Sequence, residues 1–106
     1  DVKGISLPSQ KSSSNDSWHL YVIKILDNFP ISRNSLFRSL LSNGIRTSVH
    51  YKPLHLFNLY KKTCKTTSSL RNSKRLYQEI LSLPIFPSIT RKQQNLVIDE
   101  IKKKIK

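Results

Sequence analysis

Ile45, Thr47, Val49 and Tyr51 alternate with Arg46, Ser48 and His50, and the alternation stops at Lys52-Pro53. A period of two puts successive side chains on opposite faces, so this segment reads as a half-buried strand. Proline donates no backbone hydrogen bond and restricts the residue before it, so the strand ends there. His50 and Tyr51 therefore fall where strand gives way to loop, on opposite faces if the strand extends that far. His55 follows just beyond the turn. Polar and aromatic groups gathered at a strand end suit a ligand. The same residues also read as a loop with solvated histidines, because no catalytic or metal motif has this spacing.

The rest of the chain supplies partners for such a strand. Trp18 to Ile25 is apolar on both faces, which places it inside a sheet. His19 lies in that run and reads as a hydrogen-bonded structural histidine. Asp27-Asn28-Phe29-Pro30 is a turn. Ser32 caps a helix over 33–43 with Leu36, Phe37, Leu40 and Leu41 as its apolar stripe, and Asn43-Gly44 gives a left-handed exit. Leu54 to Tyr60 reads as a short helix with Leu56, Leu59 and Tyr60 available for packing. Lys61 to Ser69 is a basic surface loop. A helix follows over about 70–80, with Leu70, Tyr77, Ile80 and Leu81 near one face. Leu81 to Pro87 is a short strand closed by two prolines. Thr90 and Gln93 make a capping box for a last helix, with Val97, Ile101 and Ile105 on one face. The order implies an α+β fold: a small sheet of about three strands, antiparallel or mixed, with helices packed on one face. Residues 1–17 are polar and turn-rich and read as a linker or extended lead-in.

Several chemistries are excluded. With 106 residues the chain holds one small domain, and it begins with aspartate, which fits processing or an excerpt, natural or engineered, from a longer protein. It has only Gly4 and Gly44, so no glycine-rich loop can cradle a phosphate. Six acidic residues without a close pair do not make a two-carboxylate hydrolase. Ser48 near His50 lacks the glycine-flanked elbow and acidic partner of a triad. His50, His55 and Cys64 match no standard metal site, and the lone cysteine permits no internal disulfide, which fits a reducing cytoplasm. No apolar run reaches transmembrane length. A net charge of +13 favours an acidic partner such as nucleic acid. The basic residues are spread over every segment, however, and the Lys102 to Lys104 run already complements a helix dipole.

Trp18-His-Leu-Tyr-Val-Ile-Lys-Ile25, the Gly44 to His55 segment read as G-I-x-T-S-V-H-Y-x-P-L-H, Leu59-Tyr60, Leu81-Ser-Leu-Pro-Ile-Phe-Pro87 and the I-T-x-x-Q-Q of 89–94 occur in that order. Together they resemble the C-terminal small domain of the DegT/DnrJ/EryC1/StrS aminotransferases, over roughly residues 17 to 105. That resemblance implies a pyridoxal-phosphate enzyme, usually a homodimer, that takes an amino donor and aminates nucleotide-linked keto sugars for cell-surface polysaccharide synthesis. It implies a small domain over 18–106 that closes over the cleft. The large domain with the Schiff-base lysine is absent from this chain. No catalytic residue and no tight cofactor binding is then expected here, and a large-domain polypeptide becomes a required partner. Carried over by motif, His50 and Tyr51 face the sugar nucleotide, His55 follows them, and Arg46 assists with phosphate charge. Imidazole and phenol both hydrogen-bond sugar hydroxyls, which makes the carry-over sensible. Arg71, Ser73 and Lys74 depart from the proline and alanine-glutamate pair that family members often carry there. The competing reading is a free-standing basic α+β module that binds nucleic acid or another acidic partner.

Overall fold

A computed structural model describes residues 2–10 and 15–105; Asp1, residues 11–14 of the lead-in and Lys106 lie outside the described residues. Three strands form one antiparallel sheet in the order β1 (Ile5–Ser6), β2 (Tyr21–Ile25), β3 (Ile80–Leu83). Four α-helices accompany it: α1 (Arg33–Ser42), α2 (Asn58–Thr63), α3 (Arg71–Glu79) and α4 (Arg91–Lys102). A 3-10 turn, Leu54–Leu56, precedes α2.

The central place expected for the Trp18 to Ile25 run belongs to β2, which pairs Ile25 with Ile5 on one side and Ile23 with Leu81 on the other. The strand starts three residues later than the run, at Tyr21, so His19 stands before it and is exposed rather than held in a strand core. Ile23, Ile25 and Leu81 share a core with Leu36 and Leu40 of α1 and Val97 and Ile101 of α4. These two helices cover one sheet face because their apolar residues recur at the helical period.

Local chemistry fixes the helix ends. The Ser32 hydroxyl accepts from the Ser35 N–H at the start of α1. At its end, the Gly44 N–H bonds to Leu41 O at 3.0 Å and the Ile45 N–H to Leu40 O at 2.9 Å, the paired bonds of a Schellman cap. Gly44 holds the positive φ that this cap requires. Ile45 then drops into the core beside Leu40. Thr90 and Gln93 form the full capping box of α4.

The segment 45–51 is the principal correction. It is extended but contributes no strand; one bridge, Ser48 to Ser82, joins it to the free edge of β3. Ser82 uses both backbone groups in that bridge, at 2.8 and 3.1 Å. Its neighbours along the edge have nothing further to offer. The Ile80 N–H caps α3 through Leu76 O, the Ile80 carbonyl accepts from Arg33 at 3.3 Å, and Pro84 has no N–H. Pairing therefore stops after one rung. The third strand is instead β1, inside the lead-in, anchored by a 2.9 Å bond from the Leu26 N–H to Gly4 O.

Three packing expectations also shift. Leu41, Leu59, Leu96 and Ile98 are exposed, because the stripes of α1 and α4 are narrower than the sequence suggests and α2 lies off the core. Ile105 likewise stays at the surface. Helix α3 stops at Glu79 and buries no residue of its own, so Ile80 and Leu81 pack from β3.

Candidate functional site

The alternation of 45–51 holds as far as Val49. Ile45 is buried and Val49 packs against the core, while Arg46 and Ser48 face solvent. It breaks at Tyr51, which is 75% exposed although its parity predicts burial. Between them His50 is half-buried. Its Nδ1 lies 2.8 Å from Ser82 Oγ, and its ring meets the Tyr51 ring edge-on at 4.7 Å. The two residues are joined by a cis peptide bond.

Ser48, His50 and Ser82 come together for a simple reason. The Ser48–Ser82 bridge aligns the two segments, and residues two apart on an extended chain project to the same side. His50 therefore overhangs Ser82. Beyond Pro53 the chain turns out into the Leu54–Leu56 turn and α2. Here Leu54, Phe57, Leu59 and Tyr60 are all exposed, Lys52 Nζ stands 4.8 Å from the Phe57 ring centre, and Phe57 meets Tyr60 edge-on.

Of the four residues expected to bind substrate, His50 and Tyr51 touch. Among the described residues no hydrogen bond or ring contact ties Arg46 or His55 to them; Arg46 is exposed and His55 half-buried within the 3-10 turn. Reading the sequence missed Ser82. Its signal was a lone polar residue in an otherwise apolar strand; in the fold it is 4% exposed and so in need of a partner.

Two concavities lie elsewhere. A cavity of about 520 Å³ runs between the sheet and α4, lined by Ile5, Tyr21, Leu83, Val97 and Ile101, with Gln94 and Lys102 as its polar groups. Its walls are too apolar for a sugar nucleotide. Another, of about 620 Å³, opens at the start of α1 beside Asp27, Arg33, Arg75 and Glu79. There Arg75 bonds to Glu79 at 2.6 Å and its guanidinium is held above its ordinary value by that bond and charge, while Arg33 turns to the Ile80 carbonyl and the Tyr77 ring. Neither cavity is lined by His50, Tyr51, His55 or Arg46.

The sequence pattern of the DegT/DnrJ/EryC1/StrS aminotransferase family matches residues 1–102. The chain belongs to this family. The erythromycin biosynthesis protein EryC1 of Saccharopolyspora erythraea is 34% identical over 103 residues, 96% of this chain and 27% of its own. The UDP-4-amino-4,6-dideoxy-N-acetyl-beta-L-altrosamine transaminase of Campylobacter jejuni is 35% identical over 91 residues, 86% of this chain and 24% of its own. Among solved structures, DesV of S. venezuelae, in complex with a ketimine intermediate, superposes with a TM-score of 0.78 at 31% identity, covering 96% of this chain and 26% of that one. The fold is thus the α+β layer of a DegT/DnrJ/EryC1/StrS aminotransferase, and the chain spans about a quarter of the length of these relatives.

Pyridoxal phosphate does not fit the described residues of this family member. A Schiff-base lysine needs a sheltered amine with a lowered pKa. Every described lysine is exposed except Lys104, which is half-buried. Lys103 is pushed the opposite way, raised by its hydrogen bond to Glu100 and by that carboxylate's charge. The positive-φ glycines, Gly4 and Gly44, serve a close approach to Phe29 and a helix cap. No described helix is long and apolar enough to cross a membrane.

Proposed function

We propose that residues 18–106, with β1 of the lead-in completing their sheet, act as the small domain of a pyridoxal-phosphate aminotransferase whose substrate is a nucleotide-linked keto sugar. His50 and Tyr51 offer hydrogen bonds to the sugar nucleotide. His55 and Arg46 stand close enough in sequence to add charge for a diphosphate once the cleft closes. The Schiff-base lysine, the phosphate cradle and the electron sink of the cofactor belong to a large domain supplied by the remainder of the enzyme, in a homodimer. This chain alone is then inactive. The lone exposed Cys64 and a nucleotide-linked substrate support a cytoplasmic setting.

One observation carries this reading. Within the family-matched residues, the extended segment 45–51 ends in an imidazole bonded to a buried serine beside a phenol left largely in solvent. An aromatic side chain so exposed next to an ordered polar group suits a ligand or partner surface better than a core.

The test is a hybrid enzyme in which this chain, β1 included, replaces the matching segment of a full-length family aminotransferase. His50→Ala with Tyr51→Phe should lower kcat/KM about 10- to 100-fold, the worth of two hydrogen bonds, and impair turnover more than folding, since the stability lost is mainly that of the Ser82 contact. Unchanged kinetics would sink the assignment of these residues.

A further inference from the structure

We infer that Ser82 is a positioning residue that locks His50 as the Nε2–H tautomer, so that the histidine presents a hydrogen-bond donor, and not an acceptor, to its ligand. The inference rests on the reading of His50 as a substrate-binding residue for its purpose, but not for its geometry.

Ser82 is 4% exposed, and its hydroxyl meets the half-buried His50 ring. Its backbone N–H and C=O are both spent on Ser48. Among the described residues the hydroxyl has one hydrogen-bond partner, Nδ1 of His50 at 2.8 Å. A neutral imidazole carries one N–H donor and one bare nitrogen acceptor. Were Nδ1 the donor, it would satisfy the serine oxygen but leave a buried O–H without an acceptor. With Nδ1 bare, the serine O–H donates to it and every buried group at the contact is paired. Leaving a buried donor unmade is the costly choice, so the second arrangement wins. The proton then sits on Nε2, on the opposite edge of the ring.

The backbone makes this constraint rigid. Ser82 cannot swing away, because β3 is held by β2 on one side and by the Ser48 bridge on the other. The Tyr51 ring meets the imidazole edge-on at 4.7 Å. A donor fixed in place selects oxygen acceptors, such as phosphate oxygens, sugar hydroxyl oxygens and the carbonyls of a uracil or thymine base. It disfavours groups that can only donate, such as a sugar ammonium. In a site that must take up a keto sugar and release an amino sugar, that preference weakens the hold on a misplaced amine.

The experiment is two-bond proton–nitrogen correlation NMR of the 106-residue chain, well above the histidine titration range, with His50 assigned by His50→Gln. Exposed His19 serves as the reference for an unconstrained imidazole. His50 should show Nδ1 bare and Nε2 protonated, with a more complete preference than His19. Ser82→Ala should relax His50 to the mixture seen at His19, and Ser82→Thr, which keeps the hydroxyl, should restore it. A protonated Nδ1 in the wild-type chain overturns the inference. So does a tautomer unmoved in a folded Ser82→Ala variant. If Ser82→Ala fails to fold, the wild-type and Ser82→Thr spectra still decide. In the hybrid enzyme Ser82→Ala should raise KM about fivefold with kcat nearly unchanged, the size of one neutral hydrogen bond. If the tautomer is locked as described but neither His50 nor Ser82 affects KM, the substrate-binding role fails while the positioning stands.

Discussion

Leu81→Ala is expected to cost about 3 kcal/mol of folding free energy, a large share of what a domain of this size holds. Leu81 is fully buried in β3, opposite Ile23 of β2, and it packs into the cluster that joins α1 to α4. Removing its three terminal carbons forfeits their transfer free energy. It also leaves a void that the strand cannot close, because β3 is held on both edges. The core is small, with ten buried hydrophobic residues among those described, so there is little redundancy to absorb the loss. Urea denaturation followed by tryptophan fluorescence would measure this directly through Trp18. A loss below about 1 kcal/mol would show that the cluster is not the centre of the fold.

The second large effect sits at the opposite end of the chain. A Cβ at Gly4 would lie 2.7 Å from the backbone N and Cα of Phe29, and Gly4 already holds φ at +81°. Backbone atoms cannot yield as a flexible side chain can. Gly4→Ala should therefore cost about 2–4 kcal/mol, the left-handed penalty plus the strain of the contact. The damage should be local: the Leu26 N–H to Gly4 O bond breaks and β1 peels away, while β2 and β3 stay paired. Hydrogen exchange should quicken at the β1–β2 rungs and much less at the β2–β3 rungs. Gly44→Ala is the control. Gly44 also has a positive φ, of +75°, but nothing stands within 4 Å of its Cβ position, so its cost should be only about 1 kcal/mol. Equal effects at the two glycines would mean that conformation, not contact with Phe29, governs Gly4.

What could be read from the sequence divides along the range of the interactions involved. Ser32, Gly44, Thr90 and Gln93 declare their helix ends because each acts on backbone groups within a few residues. The central place of β2 was legible too, because a strand paired on both edges carries a mostly apolar run, although Lys24 leaves its second face partly exposed. The identity of the third strand was not. β1 is two residues long, too short to show a period, and it exists because Gly4 lets the chain approach Phe29. The segment 45–51 has the pattern of a strand but meets an edge where Arg33 and the α3 cap occupy one neighbour and Pro84 blocks the other. Those competitors come from distant parts of the chain. Leu59 and Tyr60 look like core residues in sequence, yet they stand exposed on a helical arm beyond the candidate site. In the candidate site, His50 and Tyr51 were found through their motif, whereas Ser82 emerged only when the fold brought residues 32 positions apart to 2.8 Å.

The exposed arm bears on the central reading. Tyr51, Leu54, Phe57, Leu59 and Tyr60 put apolar and aromatic surface into solvent within ten residues, adjoining His50. Such a surface supports the proposed reading of a domain that works against a larger one.

The most direct test is complementation. The purified chain would be titrated into a large-domain polypeptide of a family aminotransferase, with pyridoxal phosphate, an amino donor and a nucleotide-linked keto sugar, and amino-sugar formation followed. Activity that is absent from either piece alone and rises to saturation as this chain is added is the expected result. Turnover by this chain alone would contradict the placing of the Schiff-base lysine outside it. A large-domain polypeptide whose activity is indifferent to this chain would contradict its part in the substrate cleft.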